Sequence, residues 1–235
     1  MPGLRTMRFI WAALGCTALA TGLLTTRLMA HADTANVPAP AYDPRETAST
    51  ETATLSGGCF WGVQGVYEHV QGVSRVYAGY TGGAADTAQY EIVSTGQTGH
   101  AESVEITFDP RVISYGKILQ IYFSVAANPT ELNYQGPDSG TQYRSEIWYA
   151  SPAQEKIAAA YIKQLAAAHV YADPIVVRLD QAKPFYEAEA YHQDYLTLHP
   201  DNPYIAINDV PKVENLQAKF PELYRSKPAT VFPLG

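Results

Sequence analysis

One thiol holds most of the chemical promise of this sequence. Cys59 stands in Gly57-Gly58-Cys59-Phe60-Trp61-Gly62. Paired glycines let the backbone turn tightly between a strand and a helix. A sulfur at the helix's first turn then faces unpaired N–H groups and the positive dipole end. Both favour thiolate over thiol, which makes a nucleophile near neutral pH. The plain alternative is a small buried cysteine that fills a turn. The flanking Gly-Gly and Phe-Trp point to the nucleophile.

Two further stretches could work with it. Glu102 follows Gly99-His100-Ala101 and opens a predicted strand, Ala101–Phe108, in which it shares a face with Val104, Ile106 and Phe108. A carboxyl at the end of such an apolar row is poorly solvated, so its pKa rises and it can donate a proton. If the row ends at the sheet rim, Glu102 is simply solvated, and the pattern does not choose between the two. The run Gln135-Gly136-Pro137-Asp138-Ser139-Gly140 reads as a tight turn, with Tyr143 opening the next strand. On composition alone this is an ordinary hairpin-like loop.

Elements must hold these residues in place. Thr52–Ser56 is predicted as a short strand, and Phe60, Val63, Tyr67 and Val70 recur at helical spacing. Ser114 caps a helix with Ile118, Ile121, Tyr122 and Val125 on one face. Tyr143–Tyr149 reads as a strand, and Ser151-Pro152-Ala153-Gln154 as a capping box opening a helix striped by Ile157, Tyr161, Leu165 and Ala168. Ile175–Leu179 is an apolar run, Glu187–Leu198 a predicted last helix, and residues beyond Pro200 mostly irregular, with a short helix near Val213–Lys219. Strands alternating with helices over a short sheet predict an α+β, two-layer α/β sandwich.

The expected organisation is a signal peptide over 1–32, a flexible linker over 33–50, a catalytic domain over 51–200 and a C-terminal extension over 201–235. Arg5 and Arg8 precede the apolar run Phe9–Leu24, which ends near Ala30-His31-Ala32, the pattern of an export signal cleaved near Ala32. The alternatives are a retained membrane anchor and a lipoprotein through Cys16. Cleavage would remove Arg5, Arg8 and Arg27, and the 23 acidic residues would then face a basic set reduced from 16 by those three. So acidic a surface argues against nucleic acid or anionic membrane as a partner. Of the two cysteines, Cys16 leaves with the signal, and a solitary Cys59 can form neither an internal disulfide nor a cysteine-rich zinc site. No metal is expected, because no His-x-x-His or Cys-x-x-Cys spacing occurs.

Five ordered motifs carry a family resemblance. Gly-Cys-Phe-Trp-Gly at 58–62, Gly-Tyr-Thr-Gly-Gly at 79–83, Gly-His-Ala-Glu at 99–102, Gly-Thr-Gln-Tyr-Arg-Ser at 140–145 and Tyr-His-Gln-Asp-Tyr-Leu at 191–196 together resemble the class A peptide methionine sulfoxide reductases. The resemblance runs from about Glu51 to Leu198 and implies a ferredoxin-like plait. It implies that Cys59 attacks the sulfoxide sulfur and Glu102 protonates its oxygen. Tyr90 and Tyr143 would hydrogen-bond that oxygen, Asp138 would support the site, and Phe60 and Trp61 would wall the substrate's methyl group. The reaction would take the S epimer, free or in oxidised proteins, and leave Cys59 as sulfenic acid.

Many members of that family carry C-terminal cysteines that resolve the sulfenic acid. Here Tyr204-Ile205-Ala206-Ile207 lies where one is often found, so a one-cysteine reductase is expected. It would bind no cofactor, act as a monomer and be regenerated by an external thioredoxin-like or glutathione-type thiol. The sequence also has Ala126-Ala127-Asn128-Pro129-Thr130 where the family usually shows His-Asp-Pro-Thr. The competing enzyme class is a cysteine hydrolase using His69, His100 or His192 as base. The non-enzymatic alternative is a binding domain with a structural Cys59.

Overall fold

A computed structural model describes residues 36–45 and 47–233 of the chain. The expected signal peptide, its anchor alternative and Cys16 lie outside the described residues. In chain order the elements are β1 (Glu51–Ser56), α1 (Phe60–Glu68), β2 (Val73–Thr81), α2 (Tyr90–Val93), β3 (Ala101–Phe108) and α3 (Tyr115–Ile121). They continue with β4 (Tyr134–Gln135), β5 (Asp138–Ser139), β6 (Glu146–Tyr149), α4 (Pro152–Ala167), β7 (Arg178–Gln181) and β8 (Phe185–Glu187). Three helices follow: α5 (Tyr195–Leu198), α6 (Pro203–Asn208) and α7 (Val210–Lys219).

The main sheet has the order β7-β6-β1-β3-β2-β8. Its pairings are antiparallel except β6 with β7. In the central four, α1 connects β1 to β2 and α3 lies between β3 and β6, each connection stepping over an intervening antiparallel strand. That is the split βαβ pattern of a ferredoxin-like plait, and the expected α+β class holds. The core forms where Val63, Val66 and Tyr67 of α1 and Ile118 and Leu119 of α3 bury against Leu55, Val104, Ile106 and Phe108 of the sheet. Burial of these side chains supplies the main driving force. The predicted caps are present: Ser114 Oγ accepts from the Lys117 N–H and Ser151 Oγ from the Gln154 N–H, both at 3.2 Å.

Several elements differ from the sequence reading, each for a local reason. Strand β2 was not anticipated, because its second half is buried on both faces and lacks the alternation of a half-buried strand. Tyr143 does not open a strand; it closes a 3₁₀ turn, Thr141–Tyr143, and pairing starts at Glu146. The continuous helix expected over Glu187–Leu198 is broken into the end of β8, a 3₁₀ turn at Ala190–His192 and α5. The buried Gln193 side chain is responsible: it accepts from Ala78 N–H at 2.9 Å and donates to the Ala78 and Ala188 carbonyls. Beyond Pro200 the helix expected near Val213–Lys219 forms as α7, starting three residues earlier at Val210, and α6 forms where irregular chain was expected. The described part of the expected linker is held in place. Val37 is buried, Gln120 Nε2 donates to its carbonyl at 2.9 Å, and the Tyr161 hydroxyl donates to the Pro38 carbonyl at 2.7 Å.

Candidate active site

The end of β1 is fixed before the chain reaches Cys59. Tyr122, in the wider helical turn that continues α3, donates its hydroxyl to the Ser56 carbonyl at 2.6 Å. Trp148 Nε1 donates to Ser56 Oγ at 2.8 Å, and the Ser56 and Ser103 hydroxyls bond at 2.6 Å. Gly57-Gly58 then turns the chain. Gly58 has a φ of +86°, and a Cβ there would lie 2.5 Å from that of Gln135. Only glycine fits both demands. Cys59 emerges at the N-cap of α1 with 8% exposure and is a free thiol.

Glu102 meets it there. Its Oε2 accepts from the Phe60 N–H at 3.0 Å, one of the donors a helix start leaves unpaired. The acid is therefore tethered one residue from the sulfur. Glu102 is 3% exposed, which settles the choice between core and rim in favour of the core. Burial raises its pKa to about 8, against the pull of the Phe60 N–H and with the help of Asp138 and Asp209. Near neutral pH it holds a proton.

The helix end does not make Cys59 a resting thiolate, as the sequence alone suggested. Burial, then the charges of Glu102 and Asp209, push its pKa well above the usual thiol value; the Trp61 N–H and Lys212 pull the other way. Desolvation outweighs the dipole.

The other expected residues gather around this pair. Tyr90 begins α2, and its N–H donates to Glu189 Oε1 at 2.9 Å. Its hydroxyl and that of Tyr143 are raised in pKa by burial and then by the charge of Glu102, with Cys59 contributing to both. Asp138, on the small β4–β5 hairpin, accepts from the Tyr204 hydroxyl. Phe60 is buried against Tyr80 and His192, with ring centroids 5.7 and 5.1 Å away. Trp61 stacks on Tyr195 at 4.0 Å and meets the edge of Tyr204 at 6.0 Å.

Sequence reasoning missed Tyr195, Tyr204, Asp209 and Lys212. Three of them lie in the segment set aside as an extension. The signal available was the cluster Tyr204, Asp209 and Lys212 inside an otherwise unassigned tail, but nothing in its spacing pointed back to Cys59. The histidines have other tasks. His69 Nδ1 contacts the Arg225 carbonyl at 2.8 Å. His100 ties Gly83 N–H and the Ala84 carbonyl. His192 Nδ1 accepts from Trp61 Nε1 at 3.1 Å, and burial lowers its pKa. The divergent Asn128 builds a local turn, its Oδ1 accepting from the Thr130 N–H and hydroxyl.

A buried thiol beside a protonated acid, walled by aromatic rings on an α+β plait, is an arrangement suited to thiol chemistry on a polar group next to an apolar one. The profile of the peptide methionine sulfoxide reductase family matches residues 51–224. MsrA 2 of Mesorhizobium japonicum, a peptide methionine sulfoxide reductase, is 59% identical over 189 residues, spanning 80% of this chain and 97% of that protein. MsrA of Polynucleobacter asymbioticus is 50% identical over 173 residues, spanning 74% and 90%. Among solved structures, methionine sulfoxide reductase A of Corynebacterium diphtheriae aligns with a TM-score of 0.55 at 32% identity, covering 67% of this chain and 78% of that one. Reduced Mxr1 of Saccharomyces cerevisiae aligns with a TM-score of 0.60 at 29% identity, covering 69% and 92%. The chain belongs to the peptide methionine sulfoxide reductase family.

Proposed function

We propose that the protein reduces methionine-S-sulfoxide, free or within oxidised proteins, to methionine through a sulfenic acid on Cys59. The observation that carries this reading is Glu102, buried and raised to about 8, bonded to the N–H next to Cys59. The Cys59 sulfur, as thiolate, attacks the sulfoxide sulfur while Glu102 passes its proton to the oxygen. The S–O bond breaks, the hydroxyl ends on Cys59, and methionine leaves with the electron pair. Cys59 is oxidised by two electrons and methionine sulfur reduced by two. The proton lost by the Cys59 thiol restores Glu102, so this half-reaction consumes none. Tyr90 and Tyr143 hydrogen-bond the oxygen, Asp138 and Tyr204 support them, and Phe60 and Trp61 receive the methyl group.

No other cysteine of the sequence lies in the family-matched region, so regeneration falls to external thiol. One thiol forms a mixed disulfide with Cys59 and releases water; a second frees Cys59 as thiol. A thioredoxin-like or glutathione-type donor suits this chemistry. The charged start and apolar run of residues 1–32 support export to a periplasm, with a retained anchor as the other outcome of N-terminal sequencing. Thiol-dependent turnover of the two sulfoxide epimers tests the activity. Use of the S epimer, loss of turnover in Cys59→Ser, and stoichiometric sulfenic acid without added thiol are expected. Reduction of the R epimer alone, or turnover that persists without thiol, overturns it.

A further inference from the structure

The C-terminal helices bring an ion pair to the first turn of α1. Asp209 sits at the junction of α6 and α7, where its N–H donates to the Ile205 carbonyl and its carbonyl accepts from the Lys212 N–H. Lys212 Nζ lies 3.1 Å from Asp209 Oδ1. The aspartate side chain is fully buried, and its second oxygen, Oδ2, has no hydrogen-bond partner. Both groups press on Gly62, three residues from Cys59 along the helix. A Cβ at Gly62 would lie 2.1 Å from Asp209 Oδ1 and 2.9 Å from Lys212 Nζ. Glycine costs a helix about 1 kcal/mol relative to alanine; here that cost makes room for the pair.

Residues three apart on a helix lie on one face, so the pair stands over the turn that carries the thiol. An aspartate with one unsatisfied buried oxygen raises the energy of any nearby anion, and an ammonium lowers it. We propose that the Asp209–Lys212 pair sets the ionisation of Cys59: Lys212 is the counter-charge of the attacking thiolate, and Asp209 holds that charge in check in the free enzyme. Lys212 is thus a positioning residue for thiolate charge. The proposal rests on Cys59 acting as the nucleophile of the sulfoxide reaction.

The electrostatics agree with the geometry. Asp209 raises the thiol's pKa and Lys212 lowers it. Burial depresses the Lys212 ammonium, but Asp209 and Cys59 more than offset this. The remaining groups facing the thiol are Glu102 from β3, Tyr90 from α2, Tyr143 before β6, and Tyr204 from α6, with Asp138 bonded to the last. Only the pair can be altered in both directions without touching an expected donor to the sulfoxide oxygen. It also restrains a thiol destined for an oxidising compartment, because the protonated form resists adventitious oxidation.

The test is the pH dependence of iodoacetamide alkylation of Cys59 in the full chain, followed by mass spectrometry of its peptide. Lys212→Met is expected to move the midpoint up by about one unit or more, and Asp209→Asn to move it down. At a fixed pH below the midpoint, a one-unit move is about a tenfold change in alkylation rate. Lys212→Arg should restore the wild-type profile. Both variants break the same ion pair, so a purely structural role predicts movements of one sign or none, and either result overturns the proposal. If Lys212→Met does not fold, Asp209→Asn decides alone: an unchanged or raised midpoint overturns it. Sulfoxide turnover by the wild type is measured separately. Its absence would overturn the reductase reading, while the alkylation profiles still report on the pair.

Discussion

At its N-terminal end α1 touches Glu102, raised to about 8, and at its C-terminal end it carries Glu68, raised to the same value. Both acids are buried, and burial is the largest cause in each. Their surroundings differ. Glu102 accepts a single backbone N–H and faces Cys59 and the tyrosine hydroxyls. Glu68 is raised further by neighbouring Asp194, accepts from the Thr197 hydroxyl at 3.0 Å, and stands in a latch for the tail. In that latch its own carbonyl accepts from Arg225 Nε and the Ala229 N–H, while Asp194 accepts from the N–H groups of Val231 and Phe232. A perturbed carboxyl therefore marks a site only when its proton has somewhere useful to go.

The sharpest way to break this contrast is to remove each proton in turn. Glu102→Gln is expected to cut turnover by about 10²–10⁴-fold, the usual worth of a positioned general acid. Glu68→Gln should leave turnover unchanged. In the proposed reaction the active form pairs protonated Glu102 with Cys59 thiolate. With the thiol the weaker acid, the wild-type rate should rise as pH approaches about 8, level off there, and fall only through the higher Cys59 midpoint. The levelling near 8 should vanish in Glu102→Gln and persist in Glu68→Gln. An equal loss in both variants would mean that burial, and not position, distinguishes them.

Next in size is the packing around the same helix. Gly62→Ala places a methyl group 2.1 Å from Asp209 Oδ1, so either α7 shifts or the charge pair parts. Overpacking of this kind costs about 1–3 kcal/mol, read as a lower midpoint in denaturant, with the Cys59 alkylation profile disturbed as well. One turn further along α1 Gly65 abuts Leu196, whose Cδ1 would lie 2.7 Å from an added Cβ. Gly65→Ala should therefore destabilise without moving that profile.

The legibility of the sequence follows the same division. The pattern of residue types exposed β1, α1, β3, α3 and α4, because β3 alternates polar with apolar residues and the helices repeat apolar ones at helical spacing, although of the five only α4 leaves a broad exposed face. It failed for β2, buried on both sides, and for the 187–198 segment, where Gln193 satisfies backbone groups that a helix would otherwise pair. Cys59 was legible because glycines announce a turn, and Glu102 because it ends an apolar row, although that row left its burial open until the structure decided it. Tyr90, Tyr143 and Asp138 became candidates only through resemblance, since loop residues carry no period. Tyr204, Asp209 and Lys212 were not legible at all: their contact with α1 spans well over a hundred residues of chain and is set by how the C-terminal helices pack.

The smaller predictions concern the Glu68 end. Its folded pKa, about 8, lies above the ordinary 4.5 of an unfolded glutamate. The folded state therefore binds more protons between those values, and stability falls as pH rises through that window. The slope is about 1.4 kcal/mol per pH unit for one proton. Glu68→Gln, with no proton to lose, should lower the slope by about that amount in denaturant titrations from pH 5 to pH 8 and leave the matching contribution of Glu102; an unchanged slope would place the linkage elsewhere. Thr197→Val should act least. It removes a donor to the charged form, so the protonated acid is favoured and the midpoint moves upward, with a stability loss of about 0.5–1.5 kcal/mol at neutral pH. A downward movement would mean that the Thr197 hydroxyl accepts from a protonated Glu68, which would make this end of α1 a neutral hydrogen-bonded latch and widen its difference from the end that carries Cys59.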